Sequence, residues 1–462
     1  MKSIVIFSCI FLCFLVNSIL LAKSEFLDCA ITIAVQRNKK LQAKQKEVEL
    51  AQRQLVVTTR AFLPTLYVQH RHSFGRTQLD EYRAEDLWLR GIQPLYAGGQ
   101  ISASHRYSIL ALEYAKIDYT KLKEEIIAKV KQAYYEYLSS LLEVREIEKL
   151  ASDIEFYYKM LLDEYSAKAI SELELQEGKV FKEKVDNMLE RSKRNKKLYE
   201  ERLVKLVGVE SIEDIPFPIT TKIVDEPPKE IDFTFDQLKN LLIINNPDLK
   251  KSELNIQMGK QKQKVVTGKT KPKFYLEGSY GRSGEAYVKE PLVLTTVWSA
   301  MVRLVWLFGG SSLEVGYQKD RTIPREIVDV SQRIDTTIID TKLGIFDDLR
   351  YFAEKKEAET TISHAQAEYE DTKNVLLLEL EKFYNEYYTS LLDAKVAYSD
   401  LNLKKWRLDT IKKKRDIYET STLDVMSNIY SVSEAVLTYT KSVVQNYIAV
   451  AEIEKLVLLP LR

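Results

Sequence analysis

The sequence predicts a mainly α-helical protein made of two similar halves, in which long helical hairpins accompany a smaller part built from strands. Glycine (15) and proline (11) are scarce among the 462 residues, so few residues interrupt helices. Apolar residues recur at every third or fourth position from Leu112 to Leu161, which is the spacing of a coiled-coil seam. The sequence also contains an internal repeat, which indicates the order of the elements.

The repeat is visible when the sequence is aligned with itself. Residues 131–143 read KQAYYEYLSSLLE and residues 381–393 read EKFYNEYYTSLLD, a shift of 250 positions. Upstream, Asn38 pairs with Asn246 at a shift of 208 positions. The second half is therefore 42 residues longer, and the excess lies within residues 280–346.

Each half has the same predicted order: an opening helix of about thirty residues that ends before a proline, two strands, and a long helical hairpin. The excess is expected to form an extended loop or an extra hairpin from about Ser311 to Lys342. The expected organisation begins with an export signal (residues 1–24) and a first repeat (25–215). A Pro-rich linker (216–232) and a second repeat (233–462) follow, and the second repeat contains an insertion around residues 281–342.

The N-terminus has the features of an export signal. Lys2 precedes an apolar run over residues 4–21, and Ala22-Lys23-Ser24 offers small residues at a cleavage site. An N-terminal membrane anchor is the alternative. The exported chain would keep one thiol, Cys29, and hence no internal disulfide, because the signal contains Cys9 and Cys13. No later run of about 18 apolar residues occurs, so any membrane crossing would use strands.

The clearest strand pattern lies in the second half. Residues 298–306 alternate between an apolar and a more polar face, and the apolar face begins at Trp298 and ends at Trp306. Tryptophans at both ends of an apolar strand face are typical of a lipid-facing strand with aromatic girdles. A half-buried strand of a soluble sheet is the alternative. The strands of the first half, around residues 66–74 and 87–95, alternate less regularly.

The long helices are predicted to form two antiparallel hairpins. The first helix would run from Gly99 to about Asp163, a length of roughly 100 Å. Its partner would continue to about Leu206, and the second half would repeat the hairpin from about Phe346 to Leu459.

Four short motifs occur in the order in which a known family has them. They are Leu27-Asp28 with Asn38 and Leu41, then Gln93-Pro94-Leu95-Tyr96-Ala97-Gly98-Gly99, Asn246-Pro247-Asp248-Leu249 and Ser421-Thr422-Leu423-Asp424-Val425. Over essentially the whole exported chain, the sequence resembles the TolC-like family of outer-membrane efflux proteins.

The resemblance implies a homotrimeric channel of the outer membrane that extends into the periplasm. Each protomer would give four strands to a shared 12-stranded β-barrel in outer-membrane lipid, and two hairpins to a periplasmic α-barrel. Four strands cannot close a barrel alone, so oligomerisation also follows from the strand count. The implied partners are a periplasmic membrane-fusion adaptor and an inner-membrane pump of RND or ABC type, for efflux or type I secretion.

The resemblance also implies an acidic ring at the periplasmic entrance. Asp424 matches the family's tip aspartate, and Glu174 takes the equivalent place in the first hairpin. Copies of each around the channel axis would favour cations. Ser427 stands where a second ring is expected, and Glu177 is the residue that would compensate for it. Solvated charges on a helix face are the alternative.

Other tip residues depart from the family. The glycine of the tip turns is Lys168 in one half and Tyr418 in the other. Arg415 and Thr420 stand where some members hold a tyrosine and an arginine that latch the entrance. We therefore expect a different latch in this chain.

No motif for catalysis or cofactor binding is complete. The formal net charge of +1 gives no support to nucleic-acid binding. Residues 267–270 (TGKT) lack the upstream glycine of a phosphate loop, because Gln263 stands there, and His70 and His72 lack a third metal ligand. We expect no cofactor and no enzymatic activity. An exported periplasmic coiled-coil protein with a structural or tethering role is the alternative function.

Overall fold

The computed structural model describes residues 25–76, 81–219, 224–287, 291–322, 334–346, 348–417 and 419–461. The predicted export signal, residues 1–24, lies outside this part of the chain. The chain divides into two compact units, which we call the hairpin unit and the sheet unit. The hairpin unit comprises Met1–Lys44, Tyr119–Pro247 and Lys373–Arg462, and the sheet unit comprises Gln45–Asp118 and Asp248–Thr372.

The predicted mainly helical chain with a β part is confirmed. In chain order the elements are α1 (Glu25–Arg37), α2 (Lys39–Arg60), β1 (Thr65–Arg76), β2 (Glu81–Ala97), α3 (Gln100–Ser166), α4 (Glu172–Val207), α5 (Phe235–Asn245), α6 (Pro247–Thr267), β3 (Lys273–Tyr287), β4 (Thr295–Phe308), β5 (Ser311–Thr322), β6 (Ile334–Gly344), α7 (Arg350–Asp416) and α8 (Thr422–Val457). Among the described residues, no helix is both long enough and apolar enough to cross a membrane.

Each half opens with two helices, so the prediction of one helix of about thirty residues was wrong. The first break is at Asn38, whose side-chain Oδ1 accepts hydrogen bonds from the backbone N–H groups of Lys40 (3.0 Å) and Leu41 (3.1 Å). This is an N-cap, and it starts a new helix. The second break is at Asn246, which is followed by Pro247 at the first position of α6, where a missing N–H costs nothing.

Both long helical hairpins form in the hairpin unit as predicted. In the first, the Lys182 ammonium of α4 lies 2.7 Å from the Glu155 carboxylate of α3, across the hairpin. In the second, the rings of Tyr398 on α7 and Tyr439 on α8 are 5.4 Å apart. The predicted seam of α3 is its buried side, and the buried seam residues include Ile126, Val130, Ala133, Tyr137, Val144, Ile147, Ile154 and Leu161.

The sequence repeat extends to buried hydrogen bonds. The Ser140 hydroxyl donates to the Tyr137 carbonyl at 2.7 Å, and Ser390 donates to the Tyr387 carbonyl at 2.9 Å. The second half adds Asn446, which is fully buried and donates to the Tyr387 carbonyl at 3.0 Å. Satisfied buried polar groups of this kind fix the register in which helices pack.

The described strands form one antiparallel sheet of six, in which each strand pairs with the next along the chain. The four expected strands are β1 to β4. The strand count per chain is corrected to six, because β5 and β6 occupy most of the segment in which a loop or an extra hairpin was expected, and they form a hairpin. Alternation in β5 explains the extra strand, since apolar residues occupy every second position at Leu313, Val315 and Tyr317.

The insertion follows a pair of glycines that both halves contain. Gly98 and Gly99 have φ angles of +63° and +81°, and Gly309 and Gly310 have φ angles of +57° and +82°. In the first half this backbone leads from β2 directly into α3. In the second half it makes a two-residue turn of the kind that joins antiparallel strands, and α7 begins only after β6. The same local geometry therefore precedes different elements.

Candidate functional site

One face of the sheet carries apolar residues on all six strands, and its polar residues lie mainly beyond the row of Trp298. Val302 of β4 lies opposite Leu276 of β3 and Tyr317 of β5, and Tyr317 lies opposite Ile339 of β6. Residues directly opposite each other in a sheet share a face. We call this the apolar face, and its members include Leu66, Val68, Phe74, Leu87, Leu89, Phe274, Leu276, Tyr280, Trp298, Val302, Leu304, Trp306, Leu313, Val315, Tyr317, Ile339 and Leu343.

Two tryptophans stand near the ends of β4 on the apolar face. Trp298 and Trp306 are eight residues apart, which is about 26 Å along a strand. The Trp306 indole N–H donates to the Thr270 carbonyl at 3.1 Å, where the chain passes from α6 to β3. Trp306 therefore marks the edge of the sheet at which the helices join it.

The opposite face of the sheet carries paired polar groups. Arg303 forms an ion pair with Glu277 on the neighbouring strand. Two rows further along, the Ser279 and Ser299 hydroxyls are 2.7 Å apart, and Ser283 on the same side of β3 donates to Asp86 at 2.6 Å. Such a face suits contact with water. Its charged and hydroxyl side chains alternate along each strand with the residues of the apolar face on the other side of the sheet.

Residues weighed for metal or phosphate chemistry have structural partners. The His70 Nε2 lies 3.0 Å from the Glu85 carboxylate. Within the described ranges, no group of three or more His, Cys, Asp or Glu side chains is placed to hold a metal ion. Residues 267–270 form the helix-to-strand junction, where Gly268 packs against Gly98 and Lys269 pairs with Glu354.

The two carboxylates of the expected acidic ring belong to equivalent capping boxes. At the start of α4, the Glu174 backbone N–H donates to the Ser171 hydroxyl (3.3 Å), and the Ser171 backbone N–H donates to the Glu174 carboxylate (2.8 Å). At the start of α8, Ser421 and Asp424 make the same pair of hydrogen bonds, at 3.1 and 3.3 Å. The spacing of a serine and an acidic residue three positions later is a helix-start signal that sequence reasoning missed.

These acidic residues are accessible. Asp424 and Glu177 are exposed, and Glu174 is half-buried. Hydrogen bonds from the Ser171 backbone and then from its side chain lower the pKa of Glu174. Ser427, at the position expected for a second ring, is also exposed. Each tip helix therefore presents at least one carboxylate within its first turn.

A polar cluster near the tips joins the two hairpins. Arg415 of α7 forms an ion pair with Glu164 of α3, and its Nε donates to the Thr422 hydroxyl of α8 at 3.0 Å. The Thr422 hydroxyl in turn donates to the Glu164 carboxylate at 2.7 Å. We call these three residues the tip cluster. Sequence reasoning singled out Arg415 but missed its two partners. Glu164 lies far from Arg415 in the sequence, and Thr422 lies on the next helix.

The tip turn of the first hairpin accommodates Lys168 in place of a glycine. Lys168 has a φ angle of +58°, in the left-handed region. Its N–H donates to the Tyr165 carbonyl at 2.9 Å, and the Ala169 N–H donates to the Glu164 carbonyl at 2.8 Å. These two bonds make the usual helix-ending motif at which glycine is preferred. Tyr418 of the second tip lies outside the described residues.

Helix α7 has an exposed apolar stripe within the hairpin unit. The stripe residues lie three, four or seven positions apart, on one side of the helix, and are Tyr388, Leu392, Val396, Leu403 and Trp406. The Trp406 side chain is 68% exposed. We call this the α7 stripe.

No protein-family model matches the sequence, and no curated protein matches it. Solved structures match along most of the chain. A membrane protein from Pseudomonas aeruginosa is 17% identical and superposes with a TM-score of 0.72 over 94% of this chain and 90% of its own.

Outer-membrane channels match over a similar length. The Campylobacter jejuni outer-membrane channel CmeC is 16% identical, with a TM-score of 0.72 over 94% of this chain and 86% of its own. The open state of the Neisseria gonorrhoeae outer-membrane channel MtrE is 13% identical, with a TM-score of 0.70 over 95% of this chain and 90% of its own. The chain has the TolC-like outer-membrane channel fold. The shared fold includes both halves of the repeat.

Proposed function

We propose that this chain is the subunit of a homotrimeric outer-membrane channel, which extends into the periplasm and conducts solutes passively to the outside. The main support for this proposal is the apolar face of the sheet. A sheet with one mainly apolar face and one polar face suits a wall between lipid and a water-filled pore. The likeness of the fold to outer-membrane channels supports the same function.

A single copy leaves this wall incomplete. The sheet is open, with β1 and β6 at its edges, and its edge backbone groups would cost several kcal/mol each in lipid. Further copies would pair those edges. The α7 stripe supports the same conclusion, because exposed apolar residues in a row are typical of a surface that another chain covers.

The channel would work as the exit duct of a larger assembly. We infer that the hairpin tips dock on a periplasmic membrane-fusion adaptor, and that an inner-membrane pump of RND or ABC type supplies the energy. The chain then serves efflux or type I secretion and performs no catalysis itself. Three copies of Glu174 and Asp424, with Glu177, would ring the entrance and favour cations.

We infer that the tip cluster is the latch of this entrance. Opening the entrance would require the hairpins to move relative to each other, and the Arg415–Glu164 ion pair joins one hairpin to the other. Both side chains are largely buried, so breaking the pair would leave charges poorly solvated. A partly buried pair of this kind holds two elements together more firmly than an exposed one.

The location and assembly can be tested together. The wild-type chain is expressed in a Gram-negative host, and the membranes are separated by density and treated with a lysine crosslinker. We expect the chain in the outer-membrane fraction and crosslinked products up to the trimer. Leu403→Glu places a charge in the α7 stripe and should abolish the trimer.

The matched control is Lys405→Glu, which introduces the same side chain two positions along α7, away from the stripe. This variant should still give the trimer. A chain found only in the soluble periplasm would favour the exported coiled-coil tether. Trimers that survive Leu403→Glu unchanged would show that the α7 stripe is not a contact between subunits.

A further inference from the structure

The two additional strands continue the apolar face. From the row of Trp306 towards that of Trp298, β5 contributes Leu313, Val315 and Tyr317 to this face. On β6, Leu343 and Ile339 share the face with the threonines Thr341 and Thr337. The row of Trp298 ends the apolar band on these strands as well, because it contains Arg321 and Asp335, which pair at 2.6 Å. Lys319 lies one row inside this end, within reach of the polar boundary.

The edge strands have the most exposed apolar side chains of this face. Phe74 on β1 is 81% exposed and Ile339 on β6 is 71% exposed, whereas Val302 on the interior strand β4 is 44% exposed. Among the described strands, β1 and β6 each pair with a neighbour on one side only. The uncovered part of the sheet therefore lies at β1 and β6, and β4 already has a neighbour on each side.

The chain direction allows these two edges to meet. The strand β1 begins after α2 and β6 ends before α7, so β1 leaves the helical side of the sheet and β6 returns to it. With an even number of strands, β6 of one copy lies antiparallel to β1 of the next. The same contact can then repeat around an axis until the ring closes.

We propose that β6 pairs with β1 of a second copy of this chain, so that a trimer contributes eighteen strands to one barrel, six from each chain. The proposal rests on the proposed function as an outer-membrane trimer, and it replaces the twelve strands implied by the family resemblance. The hairpin β5–β6 is thus part of the membrane wall. Because barrel diameter grows roughly linearly with strand number, the outer opening would be about half as wide again as that of a twelve-stranded barrel.

Paired cysteines test the subunit boundary. In a Cys29→Ser background, Ile339→Cys is combined in turn with Leu66→Cys, Val68→Cys and His70→Cys, which sample three levels of β1 on the same face. A second series combines Val302→Cys of β4 with the same three positions. Outer membranes are oxidised and the products are separated without reducing agent.

We expect covalent dimers and trimers from at least one pair in the Ile339 series and none from the Val302 series. A pair within one chain, Val302→Cys with Tyr317→Cys, should form an internal disulfide, because these residues are direct partners across β4 and β5. Covalent trimers from the Val302 series would place β4 at the boundary and overturn the proposal. Absence of crosslinks from the Ile339 series would overturn it as well.

The same samples separate this proposal from the proposed function. Conductance and native trimer mass are measured on the Cys29→Ser protein before oxidation. A conducting trimer without the β6–β1 crosslink would refute the eighteen-stranded barrel and leave the channel intact. A protein that forms no conducting trimer would refute both.

Discussion

At the scale of single residues, Glu174 and Asp424 each have a structural role that is independent of any ion. Both complete a capping box at the start of the second helix of a hairpin. Replacing either with alanine removes a hydrogen bond and a charge together. The charge can be examined alone only by a substitution that keeps the hydrogen bond, and glutamine or asparagine does so.

We expect the double variant Glu174→Gln with Asp424→Asn to keep stable tips and to lose part of the cation preference. Its ratio of cation to anion permeability should fall severalfold, while resistance of the tips to protease stays near that of the wild type. The alanine double variant should lose both, because each tip loses the hydrogen bond from the capping serine's N–H to the carboxylate, worth about 1 kcal/mol. If selectivity is unchanged in the Gln/Asn variant, the carboxylates act only as caps.

The ion pair of the tip cluster can be removed without changing the shape of either side chain. Glu164→Gln keeps the shape of the side chain and removes the ion pair with Arg415, so the entrance should open more readily. Single-channel recordings should show higher mean conductance or longer open times. The control is Asp409→Asn, which breaks an exposed pair with Lys413 on the same helix (2.7 Å). Equal conductance of wild type and Glu164→Gln would refute the latch.

At the scale of elements, the sequence predicted the long helices better than the short ones. The α3 and α4 hairpin follows from a seam of many apolar residues, each of which adds to the same signal. The break at Asn38 depends on one side chain that forms two hydrogen bonds, and a periodicity count does not detect it. The strand pair β5–β6 was expected only as a loop or a hairpin, because the repeat locates the excess residues without showing their structure.

Among the site residues, those close together in the sequence were predicted, and those that meet only through packing were not. Trp298 and Trp306 were assigned to one strand face from their spacing, and the register of β4 with its neighbours puts them there. The tip cluster was not foreseen, since Glu164 and Arg415 are 251 residues apart and meet only because the hairpins pack together. Contacts between distant segments need the packing of the whole unit, which a single sequence does not reveal.

The two glycines at the β2–α3 junction, Gly98 and Gly99, differ in the space around them. A Cβ on Gly98 would lie 2.2 Å from the Gly268 carbonyl oxygen, whereas one on Gly99 would meet no atom within 4 Å. Both have positive φ angles, so alanine at either position is strained by roughly 1–2 kcal/mol. Gly98→Ala should therefore lower the melting temperature clearly more than Gly99→Ala, as followed by circular dichroism. Equal losses would show that the junction can relax around the added methyl group.

At the scale of the whole molecule, duplication explains why each half of the chain contains both strands and a long helical hairpin. The buried Ser140 and Ser390 hydrogen bonds and the two capping boxes recur at the shift of the sequence repeat. The insertion breaks this symmetry only in the sheet unit, behind Gly309 and Gly310.

In the proposed function, copies of this chain enclose a water-filled path across the outer membrane. Its most direct test is single-channel recording of the purified protein in planar lipid bilayers, with the mass of the same sample measured in detergent. We expect discrete conductance steps that prefer cations, from a particle with the mass of a trimer. A monomer or dimer that inserts without conducting would contradict the claim.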